Sequence, residues 1–309
     1  VPSRVRRSVL PLLALTTSAI LLLGGCAADA ETPATDDTGD IHEVTHARGT
    51  TEVPADVERV VTLEPLELDT AVAVGITPVG AAVASNVAST PSYLGVDAVR
   101  AVGTVPEPDL EAIAALEPDL ILGTEARHSA LYEQLSAIAP TVFIETQADP
   151  WRNNALLIGE ALNKEDEVAD LLAEVDQRCE DLSDQYGVDG KTAQLIRPRD
   201  ETTLSLYGPV SFAGSLLECA GYTIPDQDWA DGLQADISPE NILDATADEV
   251  FVTTADVEDQ GTVPAPVTQN AAAFPSVTLV DTSYWVSGVG PKGAHAVLDD
   301  IEKHLEAKR

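Results

Sequence analysis

Two stretches of the chain, DLEAIAALEPDLILGT (Asp109–Thr124) and SPENILDATADEVFVT (Ser238–Thr253), carry one pattern twice. Each opens on a residue able to cap a helix, places a glutamate two positions later (Glu111, Glu240) and an isoleucine two positions after that (Ile113, Ile242). An aspartate (Asp119, Asp248), a short apolar run and a threonine follow at the same offset. Asp109 as cap, with Leu110, Ile113, Ala114 and Leu116 on one face, describes a helix that Pro118 ends. Leu120-Ile121-Leu122 is apolar without alternation, as in a strand covered on both faces. In the second copy Pro239 stands in the first helical turn, and Val250–Thr253 is the strand. A helix-and-buried-strand unit that recurs far along the chain predicts two similar α/β lobes.

Outward from the first copy, Arg59–Leu63 reads as a β-branched strand and Leu66–Gly75 as a helix that Gly75 stops. Ile76–Gly80 with the alanine-rich run after it suggests a second strand, Ser129–Ala139 a helix, and Val142–Ile144 a strand. From Trp151 to about Gln185, Leu156, Leu157, Leu162, Val168, Leu171, Leu172 and Val175 recur at helical spacing, which predicts one long helix able to act as a stiff spacer. Alternation then resumes with strands at Thr192–Ile196 and Val277–Asp281 and helices at Ser211–Ala220 and Gly293–Lys308. The expected division is an N-terminal lobe over 51–150, a linker helix over 151–187 and a C-terminal lobe over 188–309.

Before the first lobe, Arg4, Arg6 and Arg7 precede an apolar run, Val9–Leu23, which closes on Gly24-Gly25-Cys26. A positive end, a short apolar core and small residues describe a secretory signal over 1–25 rather than a membrane span. Leu23–Cys26, LGGC, resembles a bacterial lipobox, which implies cleavage before Cys26, a lipid on its thiol and a location at the extracytoplasmic face of the cell membrane. Residues 26–50 follow as a stalk, flexible at least from Ala27 to about Asp40, since Ala, Thr, Asp, Glu and Pro there cannot bury enough apolar surface to offset ordering entropy. A formal charge of −35 excludes a nucleic-acid partner and reads as solubility. Outside the cell, Cys179 and Cys219 are free to pair as a disulfide, or they are two buried thiols.

No nucleophile elbow, HExxH zinc helix or Walker A loop occurs, so an enzyme has no specific support. His42, His46, His128, His295 and His304 are scattered; His42 and His46 stand four apart in the stalk, the one spacing that suits a zinc pair.

Four stretches then point to a family: ERVVTLEPLELDTAVAVGITPVG, VGTVPEPDLEAIAALEPDLILGT with YEQLSAIAPTV, ISPENILDATADEVFV, and GVGPKGAHAVLDDIEKHL. Together the chain resembles the substrate-binding lipoproteins of bacterial ABC importers whose lobes are joined by one rigid helix and which carry ferric siderophores, haem or cobalamin. RPRDETTLSLYGPVSFAG and LLECAGY look more like the iron-siderophore branch. The resemblance implies two Rossmann-like lobes of mainly parallel sheet, a cleft between them, a monomer, and no intrinsic cofactor, with Fe(III) arriving only inside the siderophore. It also implies that Glu111 and Glu240 meet arginines of the permease, two exposed pairs setting orientation rather than affinity.

The ligand is expected at the carboxyl ends of the strands. Glu64, Arg127, Arg197, Arg199, Tyr207, Tyr284 and Trp285 follow strands and are the candidate contacts. Arginine forks suit oxygen-rich chelates, and Tyr and Trp offer apolar faces with a polar tip. So few cations in an acidic chain favour a ferric hydroxamate over catecholate or citrate chelates; haem, for which His128 is the nearby axial candidate, and cobalamin come after these. A lipid-anchored enzyme or interaction module on the same scaffold is the remaining alternative.

Overall fold

The computed structural model describes residues 40–84, 90–147, 150–230, 232–287 and 289–309. The signal segment, Cys26 and the stalk up to residue 39 lie outside the described residues.

The chain begins with β1 (Ile41–His46) and β2 (Gly49–Pro54), an antiparallel hairpin turning at Gly49 with φ 106°. Residues 41–50 are therefore not stalk: Val44 and Val53 are buried in the main core, and the Ala47 amide donates to the Phe143 carbonyl. His42 and His46 form no zinc pair. His42 Nε2 bonds the Glu160 carbonyl at 2.8 Å, while His46 Nδ1 accepts the Phe143 amide and its Nε2 bonds the Thr51 hydroxyl.

β3 (Val60–Thr62), α1 (Pro65–Ala73), β4 (Gly80–Val83), β5 (Arg100–Thr104), β6 (Glu107–Pro108), α2 (Leu110–Ala114), β7 (Leu120–Thr124), α3 (Glu125–His128), α4 (Tyr132–Ser136) and β8 (Thr141–Ile144) complete the first lobe. Its six strands lie in the order β6-β5-β4-β3-β7-β8, all parallel except the edge strand β6. Every residue of β3, β7 and β8 is buried, which is why their sequences do not alternate.

The helical stretch from Trp151 is two helices, α5 (Trp151–Ala161) and α6 (Glu165–Tyr186). The chain turns at Asn163, which takes a left-handed φ of 53°. Gly159 permits the turn: a Cβ there would lie 2.8 Å from Val168 Cγ2. The linker of 151–187 is thus revised. α5 packs on α1 and β8 of the first lobe, and α6 alone is the long connecting helix, ended by Gly187 in the left-handed region.

β9 (Ala193–Pro198), β10 (Leu204–Tyr207), α7 (Phe212–Cys219), β11 (Gln234–Ile237), β12 (Glu249–Thr254), α8 (Ala265–Gln269), β13 (Val277–Asp281), α9 (Thr282–Trp285) and α10 (Pro291–Glu306) form the second lobe. The order is β11-β10-β9-β12-β13; β9, β12 and β13 are parallel, while β10 and β11 add an antiparallel edge. Cys179 on α6 and Cys219 at the end of α7 are joined by a disulfide that closes a separation of 40 residues, worth about 4 kcal/mol in the chain-entropy account. Among the described residues no helix is long and apolar enough to cross a membrane.

The internal repeat has a structural meaning beyond helix and strand. Asp119, just before β7, accepts the amides of Glu58 and Arg59 ahead of β3. Asp248, just before β12, accepts the amide of Thr192 ahead of β9. In both lobes the repeated aspartate ties the start of the repeat strand to the strand it pairs with in parallel. The helices differ: α2 is α-helical with Asp109 accepting from two amides, whereas Pro239–Ala245 is a kinked 3₁₀ segment without a side-chain cap at Ser238.

Candidate ligand-binding cleft

The carboxyl ends of the strands of both sheets line a cleft of about 410 Å³, within the range of small-molecule sites. Glu64 and Pro65 follow β3, Val105 and Pro106 follow β5, Arg127 follows β7, and Gln147 and Trp151 follow β8. The second lobe contributes Arg197 of β9, Tyr207 of β10, Val210–Ala213 at the start of α7, Leu233–Gln234 at β11, and Trp285, Val286, Ser287 and Val289 after β13. Apolar and aromatic walls thus surround two guanidinium groups, one from each lobe.

Glu64 and Arg127 are a pair. One Arg127 Nη1 donates to both carboxylate oxygens of Glu64, at 2.9 and 2.7 Å. Glu64 is buried, 1% exposed, while the Arg127 side chain is 48% exposed. Burial pushes the Glu64 carboxyl up to about 7, against the charge and hydrogen bonds of Arg127. Beneath it Glu67 is fully buried; burial first, and the Glu64 charge second, push its carboxyl well above the usual range. These acids are fixed by the start of α1. Glu67 accepts the amides of Leu63 and Glu64 at 3.1 and 2.7 Å, Glu64 accepts the Glu67 amide in return, and Pro65 occupies the first helical turn.

Across the cleft, Arg197 Nη1 donates to the Tyr207 hydroxyl at 3.2 Å, so these two present a joint polar edge. Trp151 meets Phe212 edge-on at 5.1 Å and donates its Nε1 to the Ser215 hydroxyl at 3.2 Å, which holds an aromatic corner between α5 and α7. Trp285 is fully buried, stacked on Phe251 at 4.9 Å with Nε1 donated to Asp300, so it forms floor rather than rim.

Of the seven residues read from sequence, Glu64, Arg127, Arg197, Tyr207 and Trp285 line one cleft. Two do not. β9 ends at Pro198, and Arg199 is exposed in the turn to β10. Tyr284 points its hydroxyl to Asp300 at 2.9 Å, with its ring edge against Tyr93. His128 is buried with both ring nitrogens engaged: Nδ1 accepts the Thr124 amide and Nε2 donates to the Val105 carbonyl. Burial first also lowers its pKa, so it is a neutral structural residue with no nitrogen left for an axial haem bond. Trp151, Phe212 and Gln147 were not singled out from sequence. Trp151 falls within the expected linker helix, yet its place after β8 matches that of Glu64 after β3 and Arg127 after β7, which is the signal for it.

Glu111 and Glu240 are both exposed, each near the start of its repeat segment.

Residues 60–275 match the family model described as periplasmic binding protein. The chain is 31% identical over 93% of its length, and 95% of the relative's, to the probable siderophore-binding lipoprotein YfiY of Bacillus subtilis. It is 27% identical, over 97% of its length and 98% of the relative's, to the Fe(3+)-citrate-binding protein YfmC of the same organism. Among solved structures, Staphylococcus aureus SirA complexed with staphyloferrin B superposes with a TM-score of 0.71 at 28% identity, covering 86% of this chain and 98% of that one. Two α/β lobes joined by one long helix, a cleft at their strand ends and a family match over most of the chain agree: the protein belongs to the periplasmic binding protein family, whose members bind solutes rather than transform them.

Proposed function

We propose that this chain is the ligand-capturing component of an ABC importer, held at the extracytoplasmic face of the cell membrane by a lipid on Cys26, and that it carries a ferric siderophore in the cleft between its lobes. The observation that carries the reading is the cleft's chemistry: one guanidinium from each lobe, Arg127 and Arg197, facing a space walled by Trp151, Phe212 and Tyr207. Such a site meets the oxygen shell of a chelate with charged donors and its organic frame with aromatic faces. Iron enters only as part of that cargo, and the protein acts as a monomer. The relatives' names support the same class, since they include siderophore and ferric citrate binders.

Within that class a ferric hydroxamate is the preferred cargo. At a pH above the Glu64 value of about 7, two cations and one ionised carboxylate leave the cleft with a single uncompensated positive charge, too little for a triply anionic catecholate. A citrate-type chelate is the second reading, favoured by the half-exposed Arg127 fork. Haem loses its axial candidate with His128.

Trp151 and Trp285 border the cleft, so tryptophan fluorescence is the natural readout. Titration of the purified protein with ferrichrome should give saturable quenching at submicromolar concentration, and the metal-free chelator should give none. Quenching by ferric citrate or a catecholate alone would keep the transport role and change the cargo. Silence with every ferric chelate, confirmed by calorimetry, would remove the siderophore reading.

Glu111 and Glu240 are the proposed contacts to permease arginines. Reversing both charges (Glu111→Arg with Glu240→Arg) should lower chelate uptake by cells at least tenfold with the dissociation constant unchanged. Uptake that stays at the wild-type rate would assign both residues to helix starts alone.

A further inference from the structure

Glu64 is an unexpected residue in a cleft that receives a chelate through arginines. It is not a loose surface acid that a ligand could push aside. Its carboxylate belongs to the reciprocal cap with Glu67 at the start of α1, Pro65 follows it, and the side chain is 1% exposed. Arg127 is the movable partner: half exposed, on the short helix α3, and engaged with both Glu64 oxygens through a single nitrogen, with no further partner for the fork among the described residues. Any chelate oxygen that meets Arg127 must come within a few ångströms of the Glu64 carboxylate. Among the described residues the second guanidinium, Arg197, forms no ion pair, and its hydrogen bond goes to the Tyr207 hydroxyl.

Resting on the binding-protein reading above, we propose that Glu64 is a specificity-determining residue that selects chelates by charge: its carboxylate, paired with Arg127, admits neutral or weakly charged ferric chelates and penalises strongly anionic ones. Removing a carboxylate about 5 Å from an anionic oxygen, in surroundings of intermediate dielectric, is worth at least tenfold in affinity for each facing charge. A neutral chelate feels little of this. The discrimination resembles other specificity devices in which a repulsive element works against the wrong ligand.

The acid's own proton adds a second readout. Arg127 from α3, Glu67 from α1 and the Thr124 hydroxyl from β7 face Glu64, with Arg197 across the cleft. Because burial brings the Glu64 carboxyl to about 7, it loses its charge as pH falls through that value, Arg127 is left uncompensated, and the selection against anions relaxes.

The test measures dissociation constants of wild type and Glu64→Gln for ferrichrome and for a hexadentate ferric tris-catecholate, from pH 8 to pH 6. Glutamine keeps one oxygen for the helix cap, removes the charge and replaces the second oxygen, one of the two that accept from Arg127, by an NH2 donor. The expected result at pH 8 is that the ratio of the catecholate to the ferrichrome dissociation constant is at least tenfold lower in Glu64→Gln than in wild type. In wild type the catecholate should tighten as pH falls; in Glu64→Gln that dependence should largely disappear, which subtracts the chelate's own protonation. An unchanged ratio of the two constants, or equal weakening of both, overturns the inference and leaves the receptor reading intact. Should Glu64→Gln fail to fold, a flat wild-type pH profile for the catecholate relative to ferrichrome overturns it without any variant. Binding of no ferric chelate by wild type overturns the receptor reading itself.

Discussion

Arg127→Ala is expected to weaken ferrichrome binding by about a hundredfold. A hydrogen bond from a charged donor is worth about 1.5–3 kcal/mol and each 1.4 kcal/mol is tenfold. The side chain stands half exposed at the cleft with most of its fork unengaged, so its loss removes donors from the ligand rather than from the fold. The ion pair with Glu64 is also lost, and the buried carboxyl, without its cationic neighbour, takes up a proton at still higher pH. A neutral Glu64 costs little stability, so the melting temperature should move by only a few degrees. Arg127→Lys keeps the charge and loses the planar fork, and should fall between the two, near tenfold. Calorimetric titration at one pH checks all three proteins. A change under threefold for Arg127→Ala would take Arg127 out of the site.

The largest expected effect on folding is at Asp69. This residue of α1 is fully buried and bridges the lobes: Oδ1 accepts the Lys292 amide at 2.8 Å, and Oδ2 accepts the Gly293 amide and the Tyr93 hydroxyl, each at 2.8 Å. α10 has no side-chain cap of its own, so a side chain from the other lobe caps it. The fit is close enough that a Cβ on Gly290 would lie 2.4 Å from Asp69 Oδ1. Asp69→Ala leaves three donors, one buried and two part-buried, without an acceptor and should cost about 3 kcal/mol, roughly 10 °C in melting temperature. Burial pushes the Asp69 carboxyl from 3.8 up to about 6, in spite of its three hydrogen bonds. The folded state therefore holds this proton more tightly than the unfolded chain, and stability falls as pH rises across that window, by about 3 kcal/mol. Asp69→Asn should remove that slope. Identical pH profiles for wild type and Asp69→Asn, measured by urea unfolding, would deny Asp69 this role.

What the sequence made legible follows from local rules. The twin segments could be read because parallel strands buried on both faces carry unbroken apolar runs, as in Leu120–Leu122 and Val250–Val252. Arg127, Glu64 and Arg197 were within reach because ligands gather where parallel strands end. Other features depend on contacts no short window contains. The hairpin of β1 and β2 is written in Thr, Glu and His without an apolar rhythm, and becomes order only by docking on β8. The break at Asn163 left no mark on the spacing of leucines and valines, which runs through it from α5 into α6. The antiparallel edge of β10 and β11 displaced Arg199 from the cleft, and nothing in RPRDETT announces that the strand stops at Pro198. The capping role of Asp69 is invisible in sequence because the amides it caps lie more than two hundred residues away.

The proposed site of the ferric chelate, between Arg127 and Arg197, can be tested directly. Diffraction from crystals grown with ferrichrome, recorded at the iron absorption edge, locates the metal directly. One anomalous iron peak is expected inside the cleft, with chelate oxygens within hydrogen-bonding distance of both guanidinium groups. An iron peak elsewhere on the protein, or a cleft free of iron while chelate binds in solution, would contradict it.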